Sequence, residues 1–486
     1  MAIAETQRSK WLALALLATA QFVVVLDASI VNVALPSIGR DLKFSQDNLS
    51  WVVNAYTLFF GGFLLLGGRL ADRLGRRRMF IAGIVLFAFA SLGGGLAQSE
   101  LWLIIARSIQ GLGAALVSPA ALSIVTTTFT DGAERNKALG VWGAVAGSGG
   151  AAGVLLGGVL TKYAGWEWVL FVNVPIGVAA AVIAPRLLGE SRDERTRTFD
   201  FGGAVSVTAG LALLVYTLVN ANSAGWGSTE TIVLGAVSVA ILAIFVAIER
   251  RNAHPLVPFS IFRLQTLRGS NIVALLIGMS LFSMFFFISL YLQQVLGYDA
   301  LKAGFSYLPL ALLIIVSAGA ASQMVTRVGF KPTLIVGLLF ITAGLLWFSQ
   351  VSAPGGSYLG DVLFPSMLAA VGLGFAFVSV TIGAVAGTKP EDAGLASGLI
   401  NTSQQVGGAL GLAILAAIAN AATKNAGTGV DRLVALNDGF RDAFLVGAGF
   451  ALTGAILAAL LIDSRDSREH AEAASSSESA PAAIAA

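Results

Sequence analysis

Apolar residues fall along this chain in long blocks. Fourteen of them lie near 11–34, 49–70, 79–98, 101–127, 138–160, 168–187, 199–219, 231–248, 269–296, 303–322, 333–351, 359–386, 393–420 and 442–462, with short polar segments between. Roughly 20 consecutive apolar residues let a helix cross the hydrocarbon core of a bilayer. The pattern predicts an all-α polytopic membrane protein with fourteen transmembrane helices. The first block, from Trp11, has the look of a leader but runs on to Ala34 without a small-residue cleavage site before polar sequence, so it reads as a retained span. After Asp463 the chain turns to Ser, Glu and Ala, and the tail 463–486 is expected to be disordered.

Composition agrees with the pattern. Of 486 residues, 56% are hydrophobic and only 12% charged. The charged share is about half that of a soluble protein, and the mean hydropathy is +0.82. Cysteine is absent, which removes disulfides, thiolate metal sites and a cysteine nucleophile. The two histidines, His254 and His470, fall outside the spans, so neither a histidine-built metal site nor a catalytic one is expected. No phosphate-binding loop or large soluble domain is present to suggest an enzyme or ATP drive. The net charge of +3 does not point to nucleic acid. Its significance lies in position. With the N-terminus inside, 22 of the 30 Lys and Arg fall on the cytoplasmic side and seven outside, and only Arg107 lies within a span. Both termini are therefore expected in the cytoplasm, with the protein in the inner (plasma) membrane of a bacterium and surrounded by its lipids.

The chain repeats itself. "RLGRRRMFIAG" (73–83) matches "RVGFKPTLIVG" (327–337) at an offset of 254, "GLGAALVS" (111–118) matches "GLGFAFVS" (372–379) at 261, and Ala138 and Gly143 fall on Ala393 and Gly398 at 255. The expected organisation is a cytoplasmic N-terminus (1–10), a first six-helix bundle (11–190), two inserted helices (191–250), and a second six-helix bundle with a preceding cytoplasmic loop (251–462). Two membrane repeats of this kind commonly hold a site at their interface near the midplane and expose it alternately to the two sides.

Four stretches carry candidate chemistry. In "GRLADRLGRRR" (68–78), Gly68 and Gly75 permit close packing and a tight turn, Asp72 can accept from nearby donors, those at the start of a neighbouring helix among them, and Arg73 and Arg76 help hold the loop inside. "LIIARSIQGLGAAL" (103–116) places Arg107 inside a span, with Gln110, Gly111 and Gly113. An embedded arginine costs about 2.5–3.5 kcal/mol on insertion scales and calls for a partner. "GSGGAAGVLLGGVL" (147–160) supplies Gly149, Gly153, Gly157 and Gly158 for close helix packing. "LDASIVNVALP" (26–36) places Asp27 in an otherwise apolar run.

These stretches resemble motifs of the major facilitator superfamily, specifically its fourteen-span drug:proton antiporter branch. The resemblance covers essentially the whole chain and is strengthened by "LSWVVNAYTL" (49–58) and "HPLVPFSIF" (254–262). It implies a conformational latch between the bundles for the 68–78 loop and a part in proton coupling for Arg107, a purely structural ion pair being the alternative. The span-5 stretch departs from the family's pattern: Gly150 and Val154 stand where prolines are common.

Asp27 lies about seven residues before the outer end of its span and Arg107 about six after the outer start of its own, so both sit roughly 9–11 Å deep at 1.5 Å per residue. The two are expected to approach each other, in a fold that by resemblance places spans 1 and 4 on the central cavity. Burial favours the neutral form of a carboxyl, and a neighbouring guanidinium favours the ionised one. Alternating these conditions would let Asp27 take a proton outside and release it inside. Candidates for lining a cavity for lipophilic solutes are Asn54, Trp142, Phe286, Tyr291, Gln294, Asn401 and Gln404. The resulting expectation is a proton-driven exporter of lipophilic or cationic compounds, working as a monomer without a cofactor. A dedicated exporter of one endogenous metabolite or antibiotic, and a non-transporting sensor or scaffold, are the alternatives.

Overall fold

The structure is a computed structural model that describes residues 7–44, 49, 51–130, 132–191, 200–252, 255–388, 392–425 and 431–479. His254, at the head of the 254–262 stretch, and residues 480–486 of the tail lie outside these. No water reaches the bilayer core to satisfy a peptide group, so a spanning segment must satisfy its own. Among the described residues the chain is predominantly helical, with no strand.

The first bundle comprises α1 (Gln7–Asp41), α2 (Trp51–Leu74), α3 (Arg76–Gly95), α4 (Glu100–Thr128), α5 (Gly132–Tyr163), and one span made of α6 (Trp168–Phe171) and α7 (Asn173–Leu187). Two further helices, α8 (Phe201–Ala224) and α9 (Thr229–Arg251), precede the second bundle. That bundle contains α10 (Gln265–Leu290), α11 (Ala300–Ser306) leading into α12 (Leu308–Val328), α13 (Phe330–Phe348), α14 (Phe364–Val385), α15 (Ala393–Asn425) and α16 (Arg432–Leu461). Among the described residues, fourteen helices are long and apolar enough to cross a membrane. Polar caps mark several starts, among them Ser99 on α4, Asp200 on α8 and Ser228 on α9, whose side chains accept from the first turn of their helices.

The bundles repeat their packing. In the first, α1 lies on α5, α2 and α3 on α4, and α3 on α7; in the second, α10 lies on α15, α12 and α13 on α14, and α13 on α16. The turn glycines Gly75 and Gly329 correspond, each with positive φ (111° and 91°) just before α3 and α13. One match is displaced. Gly113 packs on Gly83 and Phe87, and it is Gly372 that packs on Gly337 and Ile341. Equivalent positions in α4 and α14 are thus 259 apart, and the identical residues at 261 are a two-residue slip between glycine-rich strings.

The bundles meet along α5 with α12 and α14, and along α2 and α4 with α15. The inserted hairpin does more than separate them: α8 packs on both α2 and α15, across the seam, while α9 buries only 17% of its apolar window.

The tail departs from expectation. Residues Ser464–Ser479 form α17, not a disordered segment. Its Ser467, His470, Ala471 and Ala474 fall at helical spacing on one side and pack against α5, α12 and α13. A run poor in large apolar residues still folds here, because small residues permit close docking and polar partners await it. Ser467 Oγ accepts from Lys331 N (3.0 Å), and His470 Nε2 lies 2.8 Å from Asn136 Oδ1.

Candidate functional site

Asp27 and Arg107 meet, as their matched depths predict. Arg107 Nη1 lies 2.5 Å from Asp27 Oδ2, and neither side chain has any solvent exposure. They lie within the first bundle, and in this state no part of either is open to a cavity between the bundles. Three donors converge on the carboxylate: Arg107 on Oδ2, and Gln110 Nε2 (2.8 Å) and Asn173 Nδ2 (2.7 Å) on Oδ1. Ser91 Oγ accepts from both amides (3.1 and 3.0 Å) and donates to Leu170 O (2.8 Å). The guanidinium also donates to Gln110 Oε1 (2.7 Å) and Val52 O (2.9 Å), and its carbon sits 4.4 Å from the centre of the Tyr56 ring. That arrangement adds a cation–π attraction. Tyr56 in turn donates to Val24 O (3.0 Å), one helix turn from Asp27. Five spans therefore contribute to one buried network. Arg107 Nη2 and Asn173 Oδ1 have no partner, leaving one donor and one acceptor unused.

The motif glycines build this site by letting backbones touch. A Cβ on Gly149 would fall 2.8 Å from Val25 Cγ1, one on Gly153 2.6 Å from Leu26 O, and one on Gly157 2.7 Å from Ile30 O. This row, with buried Gly158 beside it, seats α1 on α5 at the turns that carry Asp27. Gly111 does the same between α4 and α2, its Cβ position 2.4 Å from Tyr56 O. Gly113 does so toward α3, 2.7 Å from Phe87 N.

The 68–78 loop meets the second bundle. Asp72 Oδ1 and Oδ2 accept from Gly394 N (3.1 Å) and Leu395 N (3.0 Å), so the carboxylate caps the start of α15. Free amides and the helix dipole favour an anion there. Arg76 Nη2 binds Asp72 Oδ1 at 2.9 Å, and Gly68 faces Gly394 O, where a Cβ would come within 2.6 Å. Arg73 is half-buried at the end of α2. Arg77 and Arg78 both lie 3.7 Å from Glu190, which follows α7.

The proposed cavity residues scatter. Asn54, Asn401 and Gln404 are half-buried, and Asn401 Oδ1 accepts from Ser118 Oγ (3.4 Å) across the bundle interface. Phe286 and Gln294 are exposed. Trp142 (3% exposed) and Tyr291 (1%) are corrections to the expected wall. Both are buried in packing, and the Tyr291 hydroxyl is spent on Ser352 O (2.8 Å). Ser91 and Asn173 escaped the sequence reading. An amide inside an apolar span was a usable signal for Asn173, whereas a serine carries none.

A family model described as Major Facilitator Superfamily matches residues 17–412. The chain belongs to that superfamily. It is a transporter, not an enzyme. It is similar to the cephamycin export protein CmcT of Amycolatopsis lactamdurans, 41% identical over 92% of each chain. It is also similar to the puromycin resistance protein pur8 of Streptomyces alboniger, 39% identical over 94% of this chain and 92% of the relative. Among solved structures, the human organic anion transporter MFSD10 (TETRAN) superposes with a TM-score of 0.67 over 92% of this chain and 99% of its own, at 16% identity. That identity speaks for the fold alone.

Proposed function

We propose that this superfamily transporter exports antibiotic-like, lipophilic or cationic compounds in exchange for protons, by alternating access. The relatives named for antibiotic export and resistance support the cargo class. The observation that carries the coupling is the network around Asp27. Its carboxylate is held by three donors in a dry site, and its charge is matched by a single arginine. Protonating Asp27 would cancel that match and free the guanidinium, whose Nη2 already lacks a partner. Because α1, α2, α3, α4 and α7 all contribute, a change at the carboxyl is felt across the first bundle. A buried charge change of this size is large enough to bias a two-state element.

The 68–78 loop is the latch of this cycle. Asp72 on the start of α15 joins the bundles at the end expected to face the cytoplasm. Arg135 Nη2 donating to Val385 O (3.4 Å) and Asn136 donating to Thr326 (3.0 Å) join them nearby. The state described is latched at that end, and opening it requires Asp72 to leave the α15 amides.

A dedicated exporter of one compound is the second reading, favoured by the 41% identity to a protein named for a single antibiotic. Purified protein in liposomes, given a panel of dyes and antibiotics under an imposed pH gradient, separates the two. Uphill movement of several unrelated compounds supports multidrug export, response to one alone supports the dedicated exporter, and no gradient-driven movement sinks both.

A further inference from the structure

The inserted hairpin carries buried acids that the transport reading does not use. Glu249, in the last turn of α9, is 3% exposed, and Asp200, the cap of α8, is 8% exposed. They face each other across Gly203. A Cβ there would stand 2.3 Å from Glu249 Oε1 and 2.4 Å from Asp200 Oδ2. Asp200 Oδ1 is occupied by Gly203 N (2.8 Å), but Asp200 Oδ2 is buried without a partner. Among the described residues no Lys, Arg or His forms an ion pair with either carboxyl, and Arg250 and Arg251 are exposed. Two carboxylates this close in a buried place cannot both stay ionised without a counter-ion, and one proton between them removes the repulsion.

The pair is also connected to the first bundle. Glu249 accepts from Leu256 N (3.2 Å) and Val257 N (2.9 Å). Arg69 of α2 donates to the carbonyls of the same two peptide groups: Nη2 to Pro255 O (3.2 Å) and Nε to Leu256 O. A trans peptide sets its N–H and C=O on opposite edges. Two consecutive peptide planes are therefore held between a carboxyl and a guanidinium, each polarised by both. Arg69 lies one turn before Asp72, so the chain ends beside the latch.

We propose that Asp200 and Glu249 share one proton and form a second protonation site, whose charge state reaches Arg69 through the peptide groups 255–257. The ligand is a proton, since two carboxyl groups, with no third acid grouped with them among the described residues, make no metal cage. From α8 the group facing Glu249 is Asp200, from the 255–257 segment it is backbone alone, and from α2 it is Arg69 beyond that segment. Ionising the pair strengthens the peptide polarisation and the hold on Arg69; protonating it weakens that hold. The inserted helices would then take part in proton chemistry instead of only filling a seam.

The test reads the proton directly and needs neither substrate nor gradient, so its failure is distinct from failure of the coupling proposed for Asp27. The full-length protein is reconstituted in lipid, and its protonated-carboxyl C=O stretch is recorded by infrared spectroscopy at neutral pH. The variants are Glu249→Gln, Asp200→Asn and, as a control, Asp27→Asn, each shown by a cooperative thermal unfolding transition to be folded and recorded at equal amounts of folded protein. The expected result is a band that vanishes in both Glu249→Gln and Asp200→Asn and survives in Asp27→Asn. A spectrum unchanged by both variants, or a band lost in Glu249→Gln alone, overturns the shared site.

Discussion

Gly153 and Gly150 lie one helical turn apart on α5, and the structure predicts opposite outcomes when each becomes alanine. At Gly150 nothing lies within 4 Å of the new Cβ. Gly150→Ala should therefore gain the helix propensity of alanine, about 0.5–1 kcal/mol. At Gly153 the new carbon meets Ser29 Oγ, Leu26 O at 2.6 Å and Ile30 N at 3.0 Å. The serine can rotate away, but the other two are α1 backbone. Restoring an ordinary contact of 3.4 Å from Leu26 O requires α1 to withdraw by roughly 0.8 Å. Asp27 is the residue after Leu26, and a displacement of that size is enough to take its three bonds of 2.5 to 2.8 Å out of their present geometry and toward or past the usual 3.2 Å limit. Overpacking of this kind costs about 1–3 kcal/mol, so Gly153→Ala should lower the melting temperature of the purified protein and abolish dye efflux from cells. Adding Ser29→Ala should not rescue it. Equal effects at the two positions, or an active Gly153→Ala protein of unchanged stability, would refute the claim that this glycine row sets the Asp27 geometry.

Arg107→Met should destabilise the protein by about 3–5 kcal/mol because it strands a buried carboxylate, and combining it with Asp27→Asn should recover part of that loss in thermal unfolding. Asp72→Ala should leave the fold intact but expose a cysteine placed at Ser397 to a water-soluble maleimide faster than in the Asp72 protein; unchanged labelling would deny the latch. Docked α17 holds the His470 imidazole down at about 4, through burial first and Arg135 second, against an ordinary value near 6.5. Docking is therefore undiminished above about pH 6.5 and weakens as pH falls from there toward 4. Hydrogen exchange of residues 464–479, corrected for intrinsic rates, should quicken over that window in the wild type and not in His470→Gln.

Much of this architecture was legible because the bilayer leaves few options. Fourteen apolar blocks became fourteen helices of spanning length, since a peptide in hydrocarbon must bond to its own helix. The Asp27–Arg107 pair was legible from equal depth, whereas Asp72 was legible only as an acceptor for nearby donors, and its seat on the start of α15, more than 300 residues away, was not. What escaped has physical reasons as well. Ser91 and Asn173 join the network through tertiary packing of α3 and α7, which no spacing along the chain encodes. Trp142 and Tyr291 looked like cavity residues because aromatic type does not tell which way a membrane helix is rotated. The tail was expected to be disordered from its composition. Its small residues at helical spacing turned out to dock on a surface that composition cannot see. The repeat at 111 and 372 slipped by two because glycine-rich strings match in several registers.

The central claim is that the Asp27 carboxyl carries the transported proton, and counterflow in proteoliposomes tests it most directly. A pH gradient, acidic on the side where Asp27 is proposed to load, is imposed across vesicles holding a fluorescent cationic dye and an internal pH probe. Wild-type protein should move dye against its own gradient while protons move the other way. Asp27→Asn protein, less stable because its Arg107 charge is left unmatched and therefore compared at equal amounts of folded protein in the vesicles, should do neither. An Asp27→Asn protein that still drives the dye uphill would contradict the account.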